Sequence, residues 1–229
     1  LYSKLNGGEF STYVLTNEHV VDGIISVSSK WSTLLKRDVK DDVFGIPIVE
    51  FFEYRWQSRT VGSRAIEADI VTYDKEEDLA LLRLRNGAEF PSALLYPRGK
   101  ENELKATMPI YTVGAGLGEP PVITYGLLSQ FGREIENREY WLTTAPSIFG
   151  NSGGAVFLAD THEFIGVPAR IAVSFSMMGS SPVTHLSYCI PIPRVYAFLE
   201  KQLFRFIYDE RFTEGGEAEI RKKRREAEA

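Results

Sequence analysis

The sequence predicts an all-β protein, a sandwich or a barrel. Short apolar runs rich in Val, Ile, Tyr and Thr recur between turn residues along the 229 residues, and they lack the 3.6-residue period of an amphipathic helix. A hydrophobic content of 44% is enough for a full core. The predicted strands are 13–15, 24–27, 66–71, 79–84, 110–113, 122–128, 141–144, 155–158, 164–167 and 171–175.

One helical pattern stands at the C-terminal end. Apolar residues at Val195, Phe198, Leu199, Leu203 and Phe206 fall on one helix face and predict a helix over 193–212. The charged segment 213–229 follows. It contains the basic run 221–225, which indicates either a solvated helix or tail, or a patch for lipid, nucleic acid or a partner.

A polar, turn-rich stretch at 97–103 suits a connector, so we predict a first subdomain over 1–103 and a second over 104–192. The chemistry-bearing residues below fall on both halves. We therefore expect a site in the cleft between them.

Charge and cysteine content restrict the partners and the setting. The net charge of −5 gives no bulk attraction to nucleic acid, so none is expected as a partner, and any membrane contact would be local. Cys189 is the single cysteine, which excludes an intrachain disulfide and favours a bacterial, phage or organellar setting. The chain begins at Leu1 without a methionine, which leaves room for an upstream targeting segment and leaves the compartment open.

Three separated motifs together predict a serine nucleophile. Ser152 lies in GNSGG at 150–154, His19 lies in TNEHVV at 16–21, and Asp78 opens the run DLALLRL at 78–84. A serine hydroxyl needs a base, which His19 would supply, and the base needs an orienting carboxylate, which Asp78 would supply. The main-chain N–H groups of Gly150 and Ser152 would stabilise the oxyanion. The chain order His, Asp, Ser is that of the chymotrypsin arrangement.

Other aspartates and histidines are weaker candidates. Asp69 and Asp74 lie near Asp78, but only Asp78 directly precedes an apolar strand, and 74–77 indicates an exposed turn. His162 and His185 stand in polar loops, which is typical of surface residues.

These motifs resemble the Deg/HtrA branch of the trypsin-like serine proteases. Besides the three above, YTVG at 111–114, GLLS at 126–129 and IP at 190–191 match that branch in order, over roughly residues 10–200. The resemblance implies two six-stranded antiparallel β-barrels, endopeptidase activity on polypeptides, no metal or organic cofactor, and a possible homotrimer. No PDZ domain follows within this sequence. The segment 30–62 is longer than that branch has, and it is either a lid, partner surface or membrane-touching loop, or an extended hairpin.

Specificity is predicted from the residues ahead of the serine. Pro146, Ser147, Ile148 and Phe149 would wall the pocket for the residue before the cleaved bond, together with a strand after Phe164. Two registers compete for that strand: 167–170, which brings Ala169 and Arg170 to the pocket, or 173–176. Neither supplies a carboxylate, so small or medium aliphatic residues are predicted to be preferred.

Two other functions use the same features. A catalytically inactive binding module would keep the fold without hydrolysis. A processing protease dedicated to one substrate would use the same triad as a general protease.

Overall fold

The structure, a computed structural model, describes residues 2–32, 36–56, 59–176 and 179–228. Strands dominate it, which confirms the predicted all-β class with a C-terminal helix. The strands are β1 Tyr2–Asn6, β2 Glu9–Thr16, β3 Ile25–Ser32, β4 Arg37–Phe44, β5 Ile48–Arg55, β6 Arg59–Asp74, β7 Leu79–Leu84, β8 Leu94–Leu95, β9 Pro109–Gly114, β10 Val122–Ile135, β11 Arg138–Thr143, β12 Ala155–Leu158, β13 Glu163–Ser176 and β14 Gly179–Pro191; the α-helices are α1 Ile192–Lys201 and α2 Glu214–Glu228.

The chain folds into two compact units. The first unit is Ser3–Pro91, and the second unit is Ser92–Ala229 together with Tyr2. The stretch 97–103, which the sequence suggested as a connector, lies in the second unit, where Glu101–Glu103 forms a 3-10 turn.

The first unit is built on an antiparallel sheet with the strand order β1-β2-β7-β6-β5. Strand β6 is long enough to pair twice, with β5 through its first half and with β7 through its second half. Side chains alternate across the pleat, so Ala68 and Ile70 of β6 meet Ala80, Leu82 and Leu84 of β7 in one buried cluster. This cluster anchors β7, whose first residue directly follows Asp78.

The described residues of segment 30–62 belong to two hairpins; residues 33–35 and 57–58 lie outside the described residues. Strands β3 and β4 pair only with each other in the described chain, and β5 pairs with β6. The Phe51 ring stacks on Phe90 with centroids 4.3 Å apart, whereas Trp56 is 78% exposed. The segment thus has the extended-hairpin form, and its binding role stays a prediction.

The second unit contains a closed barrel. Its strand order is β12-β9-β10-β11-β14-β13, and a further pairing of β12 with β13 closes the ring of six strands. Strand β8 adds to β13 in parallel. The barrel strands carry side chains that are fully buried: Ile110, Leu128, Val156, Phe164, Ile165 and Ile190.

The C-terminal helix is shorter than the sequence predicted. It ends at Lys201 because Leu203 adopts a left-handed φ of 60°, and Phe204 then donates its N–H to the Leu199 carbonyl at 2.8 Å, which is a Schellman stop. Phe206, predicted on the same helix, is buried beyond that stop.

The charged segment forms helix α2, which is docked along part of its length. Glu217 is 1% exposed and pairs with Arg205, whose guanidinium lies 2.7 Å from its carboxylate. Arg221 donates to the Leu203 carbonyl and stacks over Phe204. Among the described residues, no helix is both long and apolar enough to cross a membrane.

Candidate active site

His19 and Asp78 meet in the first unit. His19 lies in a 3-10 turn, Glu18–Val20, that directly follows β2, and Asp78 ends the turn between β6 and β7. The Asp78 Oδ1 lies 2.8 Å from His19 Nδ1 and also accepts the main-chain N–H of His19 at 3.1 Å. One carboxylate therefore holds both the ring and the backbone of this histidine.

Asn17 fixes Asp78 from the other side. Its Nδ2 donates to the Asp78 carbonyl at 2.8 Å and to Oδ2 at 3.3 Å, and Asn17 is fully buried. Asp78 has a φ of 53°, a left-handed conformation that costs energy for a residue with a Cβ unless neighbours hold it. The sequence pattern gave no sign of this role of Asn17, although the residue lies two positions before His19.

Asp74 is buried, contrary to the exposed turn that the sequence indicated. Its Oδ1 accepts the N–H groups of Glu76 at 2.9 Å and of Glu77 at 3.1 Å, so the side chain closes the turn that leads to Asp78. A polar turn sequence does not reveal that its first side chain folds inward to meet those N–H groups.

Asp69, the other competing aspartate, lies in an exposed ion pair. Its Oδ1 is 2.6 Å from the guanidinium of Arg85, and both side chains are about half exposed. It therefore has a surface partner of its own.

The electrostatic surroundings favour the charged form of His19. The pKa of His19 is raised above its ordinary value, first by the hydrogen bond to Asp78, against partial burial, with additional attraction from Asp22 and Glu18. Glu18 is 7% exposed, and its Oε1 has no hydrogen-bond partner among the residues that the structure describes but lies 3.7 Å from Lys75 Nζ. An imidazolium formed at His19 would thus be stabilised by three carboxylates.

Ser152 lies in the second unit, in the turn before β12. Its Oγ is 3.5 Å from the Ala169 carbonyl, and the next residue, Gly153, donates its N–H to the Pro168 carbonyl at 3.2 Å. The register 167–170 therefore lies beside the serine. The competing stretch 173–176 pairs instead with 179–182 in the outer part of the β13–β14 hairpin.

The main-chain N–H groups of Gly150 and Ser152 are unoccupied. In the described part of the chain neither has a hydrogen-bond acceptor. Gly150 has a φ of 98°, and a Cβ there would stand 2.7 Å from both the Ala115 carbonyl oxygen and the Leu117 nitrogen, so only glycine fits. Two free donors next to a serine hydroxyl are the arrangement that an oxyanion hole requires.

The predicted pocket wall has a buried part and an exposed part. Ser147 is buried and donates its N–H to the Thr184 carbonyl at 2.7 Å, and the Pro146 carbonyl accepts from Thr124 Oγ1 at 2.7 Å. Ile148 is 38% exposed and Phe149 67% exposed. Apolar side chains are thus available on this loop, on a backbone that two neighbouring strands hold.

Ala169 and Arg170 differ in what their side chains can do. Ala169 is buried beside Ser152. The Arg170 guanidinium lies 2.6 Å from the Glu136 carboxylate and over the ring of Tyr140, 5.4 Å from its centroid. Its side chain therefore already has partners within the second unit.

The remaining candidate groups are the other two histidines, the cysteine and any metal ligands. His162 Nδ1 lies 3.2 Å from the Tyr111 hydroxyl, and His185 is exposed. Cys189 is 1% exposed, and burial raises its pKa to about 12, so the thiol is unreactive at neutral pH. The described ranges contain no group of three His, Cys, Asp or Glu side chains that could hold a metal ion.

The chain is similar to a known family and to several known proteins. Residues 4–167 match the model of the trypsin-like peptidase domain. A probable periplasmic serine endoprotease, DegP-like, of Pseudomonas fluorescens is 33% identical over 131 residues, covering 56% of this chain and 25% of that protein. The DegP-like protein of Hahella chejuensis is 28% identical over 184 residues, covering 79% of this chain and 31% of that protein.

A plant relative and two solved structures are also similar to the chain. The chloroplastic protease Do-like 5 of Arabidopsis thaliana is 31% identical over 136 residues, covering 56% of this chain and 40% of that protein. The structure of the HtrA-type protease AlgW with a tripeptide has a TM-score of 0.53 and 22% identity, covering 86% of this chain and 56% of that one. Deg5 gives a TM-score of 0.54 and 20% identity, covering 86% of this chain and 84% of that one.

The chain covers a minor part of each curated relative, whereas the family model covers most of the chain. The chain spans 25% to 40% of the length of these curated relatives. The family model, by contrast, covers most of the chain, from the first strand of the first unit to β13 of the barrel. The chain belongs to the trypsin-like peptidase domain family.

Proposed function

We propose that the protein is a serine endopeptidase that uses Ser152, His19 and Asp78. Ser152 Oγ attacks the carbonyl carbon of the scissile peptide while His19 takes its proton. The tetrahedral intermediate collapses to an acyl-enzyme, and His19 returns the proton to the leaving amine. Water then repeats the attack on the ester, again with His19 as base, and releases the acid and Ser152.

The observation that carries the proposal is the double contact of the Asp78 carboxylate with His19. A carboxylate 2.8 Å from Nδ1 keeps the proton on that nitrogen, which leaves Nε2 as the acceptor for the serine proton. The second contact, to the His19 main-chain N–H, fixes where the ring stands relative to the carboxylate. A histidine that served only the stability of the fold would not need an unprotonated Nε2 that can accept a proton.

The unoccupied N–H groups of Gly150 and Ser152 support an oxyanion hole. Charge develops on the substrate oxygen during attack, and donors that are already oriented stabilise it without reorganisation, each by roughly 2.7–4 kcal/mol. Binding of an inert partner would place no such requirement on this loop.

We propose a preference for small or medium aliphatic residues before the cleaved bond. Pro146, Ser147, Ile148, Phe149 and Ala169 offer apolar or small surfaces and no carboxylate, so a basic substrate side chain would lose its hydration without gaining a counter-ion. Arg170 would contact the substrate through its main chain.

Partners and setting follow from the relatives. We propose polypeptide substrates, no metal or organic cofactor and no nucleic-acid partner, and a homotrimer is the assembly that the resemblance implies. Relatives that are named periplasmic and chloroplastic support a bacterial or organellar setting.

Product mapping tests the proposal. The wild type and Ser152→Ala are incubated with unfolded casein, and the new termini are identified by mass spectrometry. The proposal requires that cleavage occurs after aliphatic residues and that Ser152→Ala abolishes it. Uncleaved casein with both proteins would support the inactive binding module, and cleavage of a single sequence in a peptide library with casein intact would support the dedicated processing protease.

A further inference from the structure

The loop Ala115–Gly118 controls one peptide plane of the nucleophile loop. The Leu117 N–H donates to the Phe149 carbonyl at 2.7 Å, one of the shortest main-chain hydrogen bonds outside the strands and helices. Phe149 C=O and Gly150 N–H belong to the same peptide unit. In a trans peptide these two bonds point in opposite directions. The donor at Leu117 therefore determines where the Gly150 N–H points.

The peptide between Phe149 and Gly150 needs this restraint. Glycine is stable with φ of either sign, so rotation of that peptide plane by about 180° would cost Gly150 little. Such a flip would replace the N–H beside Ser152 by a carbonyl oxygen. Its partial negative charge would repel the developing oxyanion. The bond from the Leu117 N–H to Phe149 O exists in the observed orientation and would be lost in the flipped one.

The unusual backbone conformation of Leu117 indicates that the position of its N–H is important for the bond to Phe149. Leu117 has φ 58° and ψ 19°, which a residue with a Cβ rarely adopts, and its side chain is 73% exposed. Strain of this kind persists where the neighbouring structure determines it. Here two overlapping turns do so, because Gly118 N–H bonds the Ala115 carbonyl and Glu119 N–H bonds the Gly116 carbonyl, each at 3.1 Å.

The two loops are also in close contact. A Cβ on Gly150 would meet Leu117 N and Ala115 O at 2.7 Å, and a Cβ on Gly116 would meet the Ile148 side chain at 2.8 Å. Glycines at both places let the backbones approach closely enough for the bond to form. The bond uses the main-chain amide of Leu117 and not its side chain.

We propose that the Leu117 amide is a positioning group that keeps the Gly150 N–H directed into the oxyanion hole. The inference rests on the proposed function, since it concerns the donor that the peptidase reaction would use. Leu117 touches no reacting atom. It acts through Phe149 and Gly150.

An amide-to-ester exchange tests this directly. Incorporation of the α-hydroxy analogue of leucine at position 117 removes the N–H and keeps the side chain and backbone shape. The matched control is the same exchange at Lys100, whose N–H makes a turn bond of 3.2 Å to the Pro97 carbonyl in the same unit, away from the nucleophile loop. Both proteins are assayed with a peptide substrate and a peptide aldehyde, whose tetrahedral adduct uses the oxyanion hole.

The exchange at Leu117 should lower kcat at least ~10-fold, since full loss of one oxyanion donor costs about 10²–10³-fold. The aldehyde should bind weaker by a similar factor, while KM changes by less than about twofold. The Lys100 exchange should change none of these. Equal activity of the two variants, whether unimpaired or equally reduced, would overturn the inference while leaving the peptidase proposal intact. A wild type as inactive as Ser152→Ala would instead remove the proposed function, and this inference with it.

Amide hydrogen exchange on the wild type covers the case in which the variant does not fold. The Leu117 N–H should exchange slowly and the Gly150 N–H fast, and the aldehyde should protect Gly150. Fast exchange at Leu117 would contradict the proposed restraint.

Discussion

The Asp78 carboxylate binds His19 at two points, with Oδ1 2.8 Å from Nδ1 and 3.1 Å from the main-chain nitrogen. A single side chain thus determines the tautomer of the imidazole and the place of its backbone. Asn17 in turn holds the Asp78 main chain by its carbonyl. Asn17 therefore supports Asp78, and Asp78 supports His19.

Replacement of the carboxylate by an amide should abolish most of the activity. Asp78→Asn keeps the shape but allows the wrong imidazole tautomer, and we expect kcat to fall about 10⁴-fold with the fold retained. Steady-state kinetics with circular dichroism checks this. Asp69→Asn, in the exposed pair with Arg85, is the control and should stay within about twofold. Equal effects of the two changes would contradict the role of Asp78.

The acid limb of the pH-rate profile should lie above the ordinary histidine range. His19 must be neutral to accept a proton, and its pKa is raised from 6.5 by the Asp78 hydrogen bond. Activity should therefore be lost as the pH falls through a value higher than 6.5, as measured by kcat/KM against pH. Asp22→Asn, which removes one attracting carboxylate, should move the midpoint downward. A wild-type midpoint below 6.5 would disagree with the hydrogen-bonded pair.

Removal of the Asp74 side chain should destabilise the first unit. Its Oδ1 accepts two main-chain N–H groups of the turn before Asp78, and loss of such a capping group costs about 0.5–2 kcal/mol. Urea unfolding of Asp74→Ala measures it, with the exposed Asp160→Ala as the control. A free energy of unfolding equal to that of the control would show that the buried turn contributes nothing.

A methyl group at Gly150 should damage catalysis beyond its backbone strain. Gly150→Ala faces both a φ of 98° and contacts at 2.7 Å, whereas Gly99→Ala faces a φ of 88° with nothing within 4 Å. Both should lower stability. Only Gly150→Ala should lower kcat, by roughly 10²-fold or more if one oxyanion donor is lost. If Gly99→Ala lowers kcat as strongly, the oxyanion assignment is wrong.

The substrate preference should exclude basic residues. In a peptide library that varies the residue before the cleaved bond, kcat/KM for valine or alanine should exceed that for lysine at least ~10-fold, because the wall provides no carboxylate. Rapid cleavage after lysine or arginine would contradict the proposed pocket.

The sequence predicted the parts that depend on local pattern. The all-β class followed from short apolar runs such as 79–84, and the pairing of His19 with Asp78 was expected from their motifs and from the chain order His, Asp, Ser. What it missed depends on backbone conformation and on contacts distant in sequence. The left-handed Leu203 ends α1 early, and the inward turn of Asp74 depends on N–H groups that no sequence pattern displays.

The strand that lines the predicted specificity pocket could not be identified from the sequence for the same reason. Both 167–170 and 173–176 follow Phe164 and neither contains a carboxylate, so the pattern alone did not choose between them. The bond from Gly153 N–H to the Pro168 carbonyl, which joins the nucleophile turn to β13, distinguishes the two registers. The docking of α2 through Glu217 likewise needs Arg205, which the tail sequence does not contain.

Labelling by a fluorophosphonate probe tests the central claim most directly. The probe reacts only with a serine whose proton a neighbouring base removes, and intact-mass and peptide mapping locate the adduct. We expect one adduct, on Ser152, in the wild type and in Asp69→Asn, none in Ser152→Ala, and strongly slowed labelling in Asp78→Asn. A wild type that stays unlabelled while folded, or an adduct that persists in Ser152→Ala, would contradict it.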